Sequence, residues 1–168
     1  MEADVRRTLL GALYALSGGA PPEKRWRFVL RPGEKLLDTY PVPGKLPPWL
    51  SENDLSTFVH EFQRTGFRGG LNWYRNMDRN WRFTPFLAGA RLAQPTLFLA
   101  GEADPVLEMY RKPVESLEQN VPRLKGKHIL PGAGHWVNQE RPEEVNRLLL
   151  SFLKAVSPPS PAFLPEVG

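Results

Sequence analysis

Two ionisable residues follow short apolar segments in a pattern that favours acid–base chemistry. Asp104 lies in Gly-Glu-Ala-Asp-Pro-Val directly after segment 95–100, and His135 lies in Gly-Ala-Gly-His-Trp directly after segment 127–130. Apolar runs of this length, bounded by Pro and Gly, are typical of strands buried in a parallel sheet, and ligands bind beyond the carboxyl ends of such strands. The spacing of 31 residues suits one strand–helix–strand unit. We therefore expect the carboxylate and the imidazole to lie within reach of each other.

An imidazole held by a carboxylate is a general base near neutral pH. The carboxylate fixes the tautomer by binding one ring nitrogen and leaves the other nitrogen free to take a proton. Taken singly, each residue also has an ordinary explanation, because an Asp before Pro commonly forms a turn and a His between Gly and Trp can be a loop residue. Glu102 competes with Asp104 for the role of acid, and Glu108 is a poorer candidate. The occurrence of both partners at consecutive strand ends is what favours a catalytic pair.

No nucleophile that would complete such a site is evident. A nucleophile on a strand-to-helix elbow lies in a Gly-x-nucleophile-x-Gly pattern, and none of the serines has that setting. The absence of Cys excludes a thiol nucleophile, a disulfide framework and a Cys-based zinc site. We expect no metal and no other cofactor.

The first half of the chain is predicted to be helical. Apolar residues at helical spacing predict one helix over 3–16, and a capping box from Ser51 to Asp54 predicts a second that ends at Gly66. A third helix is predicted over 70–82. Residues 20–50 between the first two helices are rich in Pro and Gly and are predicted to form an irregular loop.

The second half alternates strand and helix, which predicts an α/β fold with a parallel sheet. Strands over 95–100 and 127–130 flank a helix over 113–121 that we expect Pro113 to open, and Pro142 begins a long amphipathic helix. Two strands cannot cover that last helix and a buried sheet edge. This half is therefore expected to need strands that the chain does not contain.

The net charge of +4 and a pI near 9.6 raise the question of nucleic-acid binding. The densest basic stretch is Lys24-Arg25-Trp26-Arg27, and carboxylates such as Glu23 dilute it. No nucleic-acid motif is present, so we favour a solvated basic surface and no nucleic-acid partner. No apolar run is long enough to span a membrane, and the absence of a secretory signal favours a cytoplasmic location.

Three segments together resemble epoxide hydrolases of the soluble type, which have the α/β-hydrolase fold. Residues 66–81, Gly-Phe-Arg-Gly-Gly-Leu-Asn-Trp-Tyr-Arg-Asn-Met-Asp-Arg-Asn-Trp, are similar to the lid of that family. The segments around Asp104 and His135 are similar to its acid and histidine loops, in the right order and spacing. The resemblance covers residues 1–156, and the Asn-Trp-Tyr-Arg-Asn part is its most specific motif.

The resemblance implies the conversion of an epoxide and water to a vicinal diol through an alkyl-enzyme ester. It gives Tyr74 the role of a lid tyrosine that donates a hydrogen bond to the ring oxygen, Asp104 that of the orienting acid, and His135 that of the base that activates water. Trp136, Trp73 and Leu107 are candidates for lining the pocket, although ordinary core packing explains them equally well. The expected partners are a small apolar epoxide and water.

The resemblance also implies a division of the chain, in which 1–84 is a helical lid segment, 85–156 is the carboxy-terminal part of the hydrolase core and 157–168 is a disordered Pro-rich tail. The family's oxyanion-hole loop, aspartate nucleophile and first lid tyrosine belong upstream of Met1. We therefore expect an epoxide hydrolase fragment without activity of its own, produced by a truncation, a wrong start or a split frame. The alternatives are a haloalkane dehalogenase-like hydrolase and a non-catalytic remnant that binds a missing amino-terminal half.

Overall fold

The computed structural model describes residues 1–27 and 30–157, so the predicted tail lies outside the described residues from position 158 onward. The described part of the first half is helical, as predicted, with a loop over 20–50 that contains short 3-10 turns. Its helices are α1 (Val5–Ala15), α2 (Glu52–Thr65), α3 (Arg68–Arg75) and α4 (Met77–Phe83). The second half contains β1 (Thr96–Gly101), α5 (Pro105–Met109), α6 (Arg111–Glu115), β2 (Leu124–Leu130), α7 (Val137–Glu140) and α8 (Pro142–Val156).

Helices α1 and α2 pack together around the first of two apolar clusters. The capping box that begins α2 is confirmed, because the Ser51 hydroxyl accepts the Asp54 N–H and the Asp54 carboxylate accepts the Ser51 N–H. Gly66 ends the helix with a φ of +68°, a conformation that favours glycine. Leu55 is fully buried against three other leucines of this cluster, Leu10, Leu13 and Leu50.

Two predicted helices differ in their bounds. The helix expected over 70–82 is divided at Asn76, whose side-chain amide donates to the Asn72 carbonyl at 2.8 Å and so competes with the continuing helix. The helix expected over 113–121 begins earlier, at Arg111, and ends at Glu115, with a separate 3-10 turn over Leu117–Gln119; Pro113 is the third residue of this helix. A proline is tolerated there because the first N–H groups of a helix have no acceptor within it.

The two strands form a parallel sheet, as predicted. The register pairs Leu99 with His128 and Gly101 with Leu130, so the carboxyl ends of β1 and β2 lie side by side. Strand β2 begins at Leu124, three residues before the predicted segment, because its pairing with β1 continues back to Leu124 past Lys125 and Gly126, which are not apolar. This register places the residues that follow both strands at one edge of the sheet.

The segment after β2 joins the sheet to the helical half, and we call residues 131–136 the histidine loop. Ala133 packs with Leu130 and with Val145 of α8 in the second apolar cluster. Trp136 packs against the first cluster, and its indole N–H donates to the Leu13 carbonyl at 2.8 Å. The histidine loop is thus fixed from both sides.

Many large apolar side chains are exposed in the described part of the chain. They lie on and after α3 and α4 and on α8, and include Trp73, Met77, Trp81, Phe83, Phe86, Leu150 and Leu153. This agrees with the expectation that the apolar faces need further strands. Within residues 1–27 and 30–157, no helix has both the length and the apolar character to cross a membrane.

Candidate active site

The acid–base pair expected from the sequence is formed. The Nδ1 atom of His135 lies 3.1 Å from Oδ2 of Asp104, which confirms that the residues after the two strands meet. An ionised carboxylate can only accept, so the hydrogen of this bond is on Nδ1 and the neutral ring carries its lone pair on Nε2. The Asp104 side chain is 13% exposed and that of His135 is 38% exposed, so the carboxylate is largely shielded from solvent while the imidazole is partly open to it.

Asp104 is held in place by a second hydrogen bond. Its Oδ1 atom accepts the Val106 N–H at 2.8 Å, which makes Asp104 the N-cap of α5, and Pro105 occupies the first helical position. The cap uses one carboxylate oxygen and leaves the other for His135. Asp104 therefore both caps a helix before Pro105 and contacts His135, so the turn-forming explanation and the pairing expected from the sequence do not exclude each other.

Backbone hydrogen bonds fix the two loops against each other. The Ala103 N–H donates to the Ala133 carbonyl at 2.8 Å, and the Glu102 N–H donates to the Leu130 carbonyl at 3.0 Å. A Cβ atom on Gly101 would collide with the backbone of Ala133 and Gly134, so this close approach requires glycine. The backbone contacts between these two loops thus determine how Asp104 and His135 are placed relative to each other.

The pKa of His135 is raised above the usual value of an imidazole. The main cause is the hydrogen bond to Asp104, which stabilises the protonated ring. Burial opposes it, and the negative charges of Asp104 and Glu140 add to it. A base with a raised pKa binds the proton that it abstracts more strongly, which suits the activation of water.

The competing acids have other partners. A Glu102 carboxylate oxygen lies 3.4 Å from the Gly132 nitrogen, and Glu108 forms an exposed ion pair with Arg111. The arginine lowers the pKa of Glu108 through a hydrogen bond and its charge. In the described part of the chain, Asp104 is the carboxylate that hydrogen-bonds His135.

The remaining candidates differ in their relation to the pair. Tyr74 lies on α3 with 70% of its surface exposed, next to the exposed Trp73, and no hydrogen bond joins it to Asp104 or His135 among the described residues. Leu107 on α5 lines a cavity of about 230 Å³ that contains neither member of the pair. Trp136 stacks edge-on against His135, with ring centroids 5.0 Å apart.

Residues that the sequence did not single out also lie near the pair. A cavity of about 410 Å³ beside Asp104 is lined by Trp26 and Met109, which come from the irregular loop and from the end of α5. Glu140 binds the histidine loop, and the only sequence signal for it is an acid five residues after His135. Within the described ranges, no group of three or more His, Cys, Asp or Glu residues could hold a metal ion.

A family model and individual relatives match this chain over most of its length. A family model described as the alpha/beta hydrolase family matches residues 2–148. Epoxide hydrolase A of Mycobacterium tuberculosis is 47% identical over 153 residues, which cover 91% of this chain and 47% of that protein. Epoxide hydrolase B of the same organism is 32% identical over 179 aligned residues, which cover 94% of this chain and 50% of that protein. The chain spans about half the length of the curated relatives it matches.

Solved structures show the same likeness. An epoxide hydrolase from an endophytic Streptomyces superposes with a TM-score of 0.87 at 44% identity, covering 92% of this chain and 47% of that one. Epoxide hydrolase A from Mycobacterium thermoresistibile superposes with a TM-score of 0.79 at 45% identity, covering 91% and 47%. The observed arrangement of helices and paired strands is therefore part of an α/β-hydrolase fold.

Proposed function

The chain belongs to the alpha/beta hydrolase family, and we propose that it provides the acid–histidine pair and a lid tyrosine of an epoxide hydrolase. The proposed reaction converts an epoxide and water to a vicinal diol through an alkyl-enzyme ester. The observation that carries the proposal is the 3.1 Å contact between Asp104 and His135 at the ends of two paired strands. The similarity to proteins described as epoxide hydrolases supports it.

We assign His135 to the second half of the reaction. Its Nε2 atom takes a proton from water while the water oxygen attacks the carbonyl carbon of the ester. The bond from that carbon to the alkoxy oxygen then breaks, and the alkoxy oxygen takes the proton held on His135 Nε2 to give the diol. The carboxyl group releases the second proton of the water as it returns to the carboxylate, and this proton replaces the one that the ring oxygen took up during ring opening. Asp104 stabilises the imidazolium through the Nδ1 hydrogen bond and does not itself accept the proton.

We assign Tyr74 to ring opening. A phenol is protonated at neutral pH and can donate a hydrogen bond to the oxygen on which negative charge develops. Trp73, Leu107 and Trp136 are proposed as apolar lining for the substrate. In the epoxide hydrolases that the sequence resembles, an aspartate that precedes the lid attacks the ring carbon. None of the residues that we assign has that role.

We further propose that an amino-terminal hydrolase half is the partner of this chain. The exposed apolar side chains of α3, α4 and α8 support this, because a partner that covered them would remove their apolar surface from water. The same partner would supply the nucleophile. We also propose, as part of the same assignment, that residues 1–84 are a lid segment and residues 85–156 are the carboxy-terminal part of the hydrolase core.

A fusion protein tests the assignment. The amino-terminal half of the Streptomyces relative is joined ahead of this chain, and diol formation from an aryl epoxide is measured. We expect turnover by the fusion, and we expect His135→Gln to form the alkyl-enzyme, seen as a mass increase equal to the epoxide, while diol release falls by about 10³-fold or more. His60→Gln is the matched control because His60 is exposed on α2.

The contradicting results are specific. If His135→Gln lost alkylation and hydrolysis equally, or lost neither, the role of His135 as the base for ester hydrolysis would be wrong. Release of bromide from a bromoalkane without diol formation from epoxides would favour the dehalogenase alternative.

A further inference from the structure

The carboxylate of Glu140 lies where the end of α1 meets the histidine loop. Its Oε1 atom accepts the Gly134 N–H at 3.1 Å. Its Oε2 atom accepts the Gly18 N–H at 2.8 Å and the Ser17 hydroxyl at 3.2 Å. One side chain at the end of α7 therefore satisfies three donors from two segments that are more than a hundred residues apart in the sequence.

The two segments approach each other too closely for side chains at the glycine positions. A Cβ atom on Gly134 would collide with the backbone of Leu16 and Gly18, and one on Gly18 would collide with the backbone of the histidine loop. The His135 N–H also donates to the Leu16 carbonyl, at 2.9 Å. Backbone donors in such a contact need acceptors within the protein.

The carboxylate provides the acceptors for this contact. Both of its oxygens accept, and each has two lone pairs, so Glu140 can bind the N–H groups of Gly18 and Gly134 at the same time. An amide in its place keeps one accepting oxygen and turns a donor toward the other N–H. Ser17 extends the contact, since its hydroxyl also accepts the Trp49 indole N–H at 3.2 Å.

We propose that Glu140 is a positioning residue that clamps the histidine loop to the end of α1 and thereby holds the imidazole of His135 against Asp104. The clamp follows from the contacts themselves, whereas the catalytic meaning of the position rests on the proposed function. Glu140 does not contact the reacting atoms. It acts through Gly134, the residue before His135, and its negative charge lies near enough to favour the protonated ring.

Glu140→Gln tests the clamp by NMR on the whole chain. We expect hydrogen exchange of the Gly18 or Gly134 amide, or of both, to accelerate by about ten- to a hundred-fold, as for the loss of a hydrogen bond to a charged group. We also expect the His135 imidazole to titrate at lower pH, because it loses a nearby charge and its fixed approach to Asp104. Glu143→Gln is the matched control, with the same change of charge at an exposed position in the first turn of α8.

Two results would overturn the proposal. One is a Glu140→Gln variant whose amide exchange and His135 titration match those of Glu143→Gln. The other is a variant that is less stable overall while His135 titrates as in the unmodified chain, which would make Glu140 a stabilising residue without a positioning role.

A measurement on the unmodified chain covers the case in which Glu140→Gln does not fold. We expect scalar coupling across the hydrogen bonds that join the amide nitrogens of Gly18 and Gly134 to the carboxylate carbon of Glu140. Absence of the coupling at both amides would overturn the clamp. None of these measurements uses catalytic activity. A fusion protein that forms no diol would therefore refute the proposed function and leave the clamp untouched.

Discussion

Substitution of Asp104 separates the two hydrogen bonds that its carboxylate makes. In Asp104→Asn the oxygen that caps α5 can remain, while an amide nitrogen takes the place of the oxygen that accepts from His135 Nδ1. Two donors then face each other, so the imidazole must change tautomer or turn away. Asp104→Ala removes both hydrogen bonds.

The expected magnitudes follow from these contacts. The cap is an N–H bonded to a largely buried carboxylate, and loss of such a cap costs about 1 kcal/mol of folding free energy. The pair with His135 is more than a third exposed on the histidine side, so solvent screening limits its contribution to about 1 kcal/mol or less. We therefore expect Asp104→Ala to be less stable than Asp104→Asn by about 1 kcal/mol, and both variants to lower the pKa of His135.

Urea unfolding and NMR titration of the His135 ring measure the two effects separately. Glu108→Gln is the control. It removes a carboxylate of α5, the helix that Asp104 caps, and this carboxylate contacts Arg111 and not His135. An unchanged His135 titration in Asp104→Asn would refute the assignment of Asp104 as the acid. Equal stability of the Asn and Ala variants would refute its role as the cap.

Two further predictions concern stability. Leu55→Ala removes a fully buried side chain from the cluster that joins α1 and α2, so the free energy of unfolding measured in urea should fall by about 2–5 kcal/mol. A loss below about 1 kcal/mol would show that the cluster does not hold the two helices together. Because the pKa of His135 is raised in the folded chain, the stabilisation that comes from its protonated ring should be complete below the unfolded pKa near 6.5 and should disappear as the pH rises through the folded pKa. In His135→Gln the free energy of unfolding should therefore vary less with pH between those two values. An unaltered pH dependence would contradict the pairing with Asp104.

The pairing of Asp104 with His135 was predictable because it depends on strand order alone. Two consecutive parallel strands place the residues after them at one sheet edge, and each apolar segment was recognisable from its composition. The capping box at Ser51 was predictable for a similar reason, since its donors and acceptors are local in the sequence. Local patterns and one topological rule account for these successes.

The features that were missed depend on contacts between distant segments or on competition within a helix. The break at Asn76 arises from an asparagine side chain that donates to the backbone carbonyl of Asn72, and a pattern of apolar residues does not reveal such a bond. Glu140 resembles any acid in a short helix until the chain brings Gly18 beside it. Composition and periodicity contain no information about such a contact.

The contacts of the histidine loop connect the observations on fold and site. The loop is bonded to the segment that follows β1 through Ala133, to α1 and its C-cap through Trp136 and His135, and to α7 through Gly134. An imidazole acts as a base only if its distance and angle to both the acid and the water are maintained, and errors near 1 Å cost about a hundred-fold in rate. A loop bonded to three separate segments meets that requirement. We therefore expect the geometry of the pair to depend on the packing of α1 as much as on the sheet that carries Asp104.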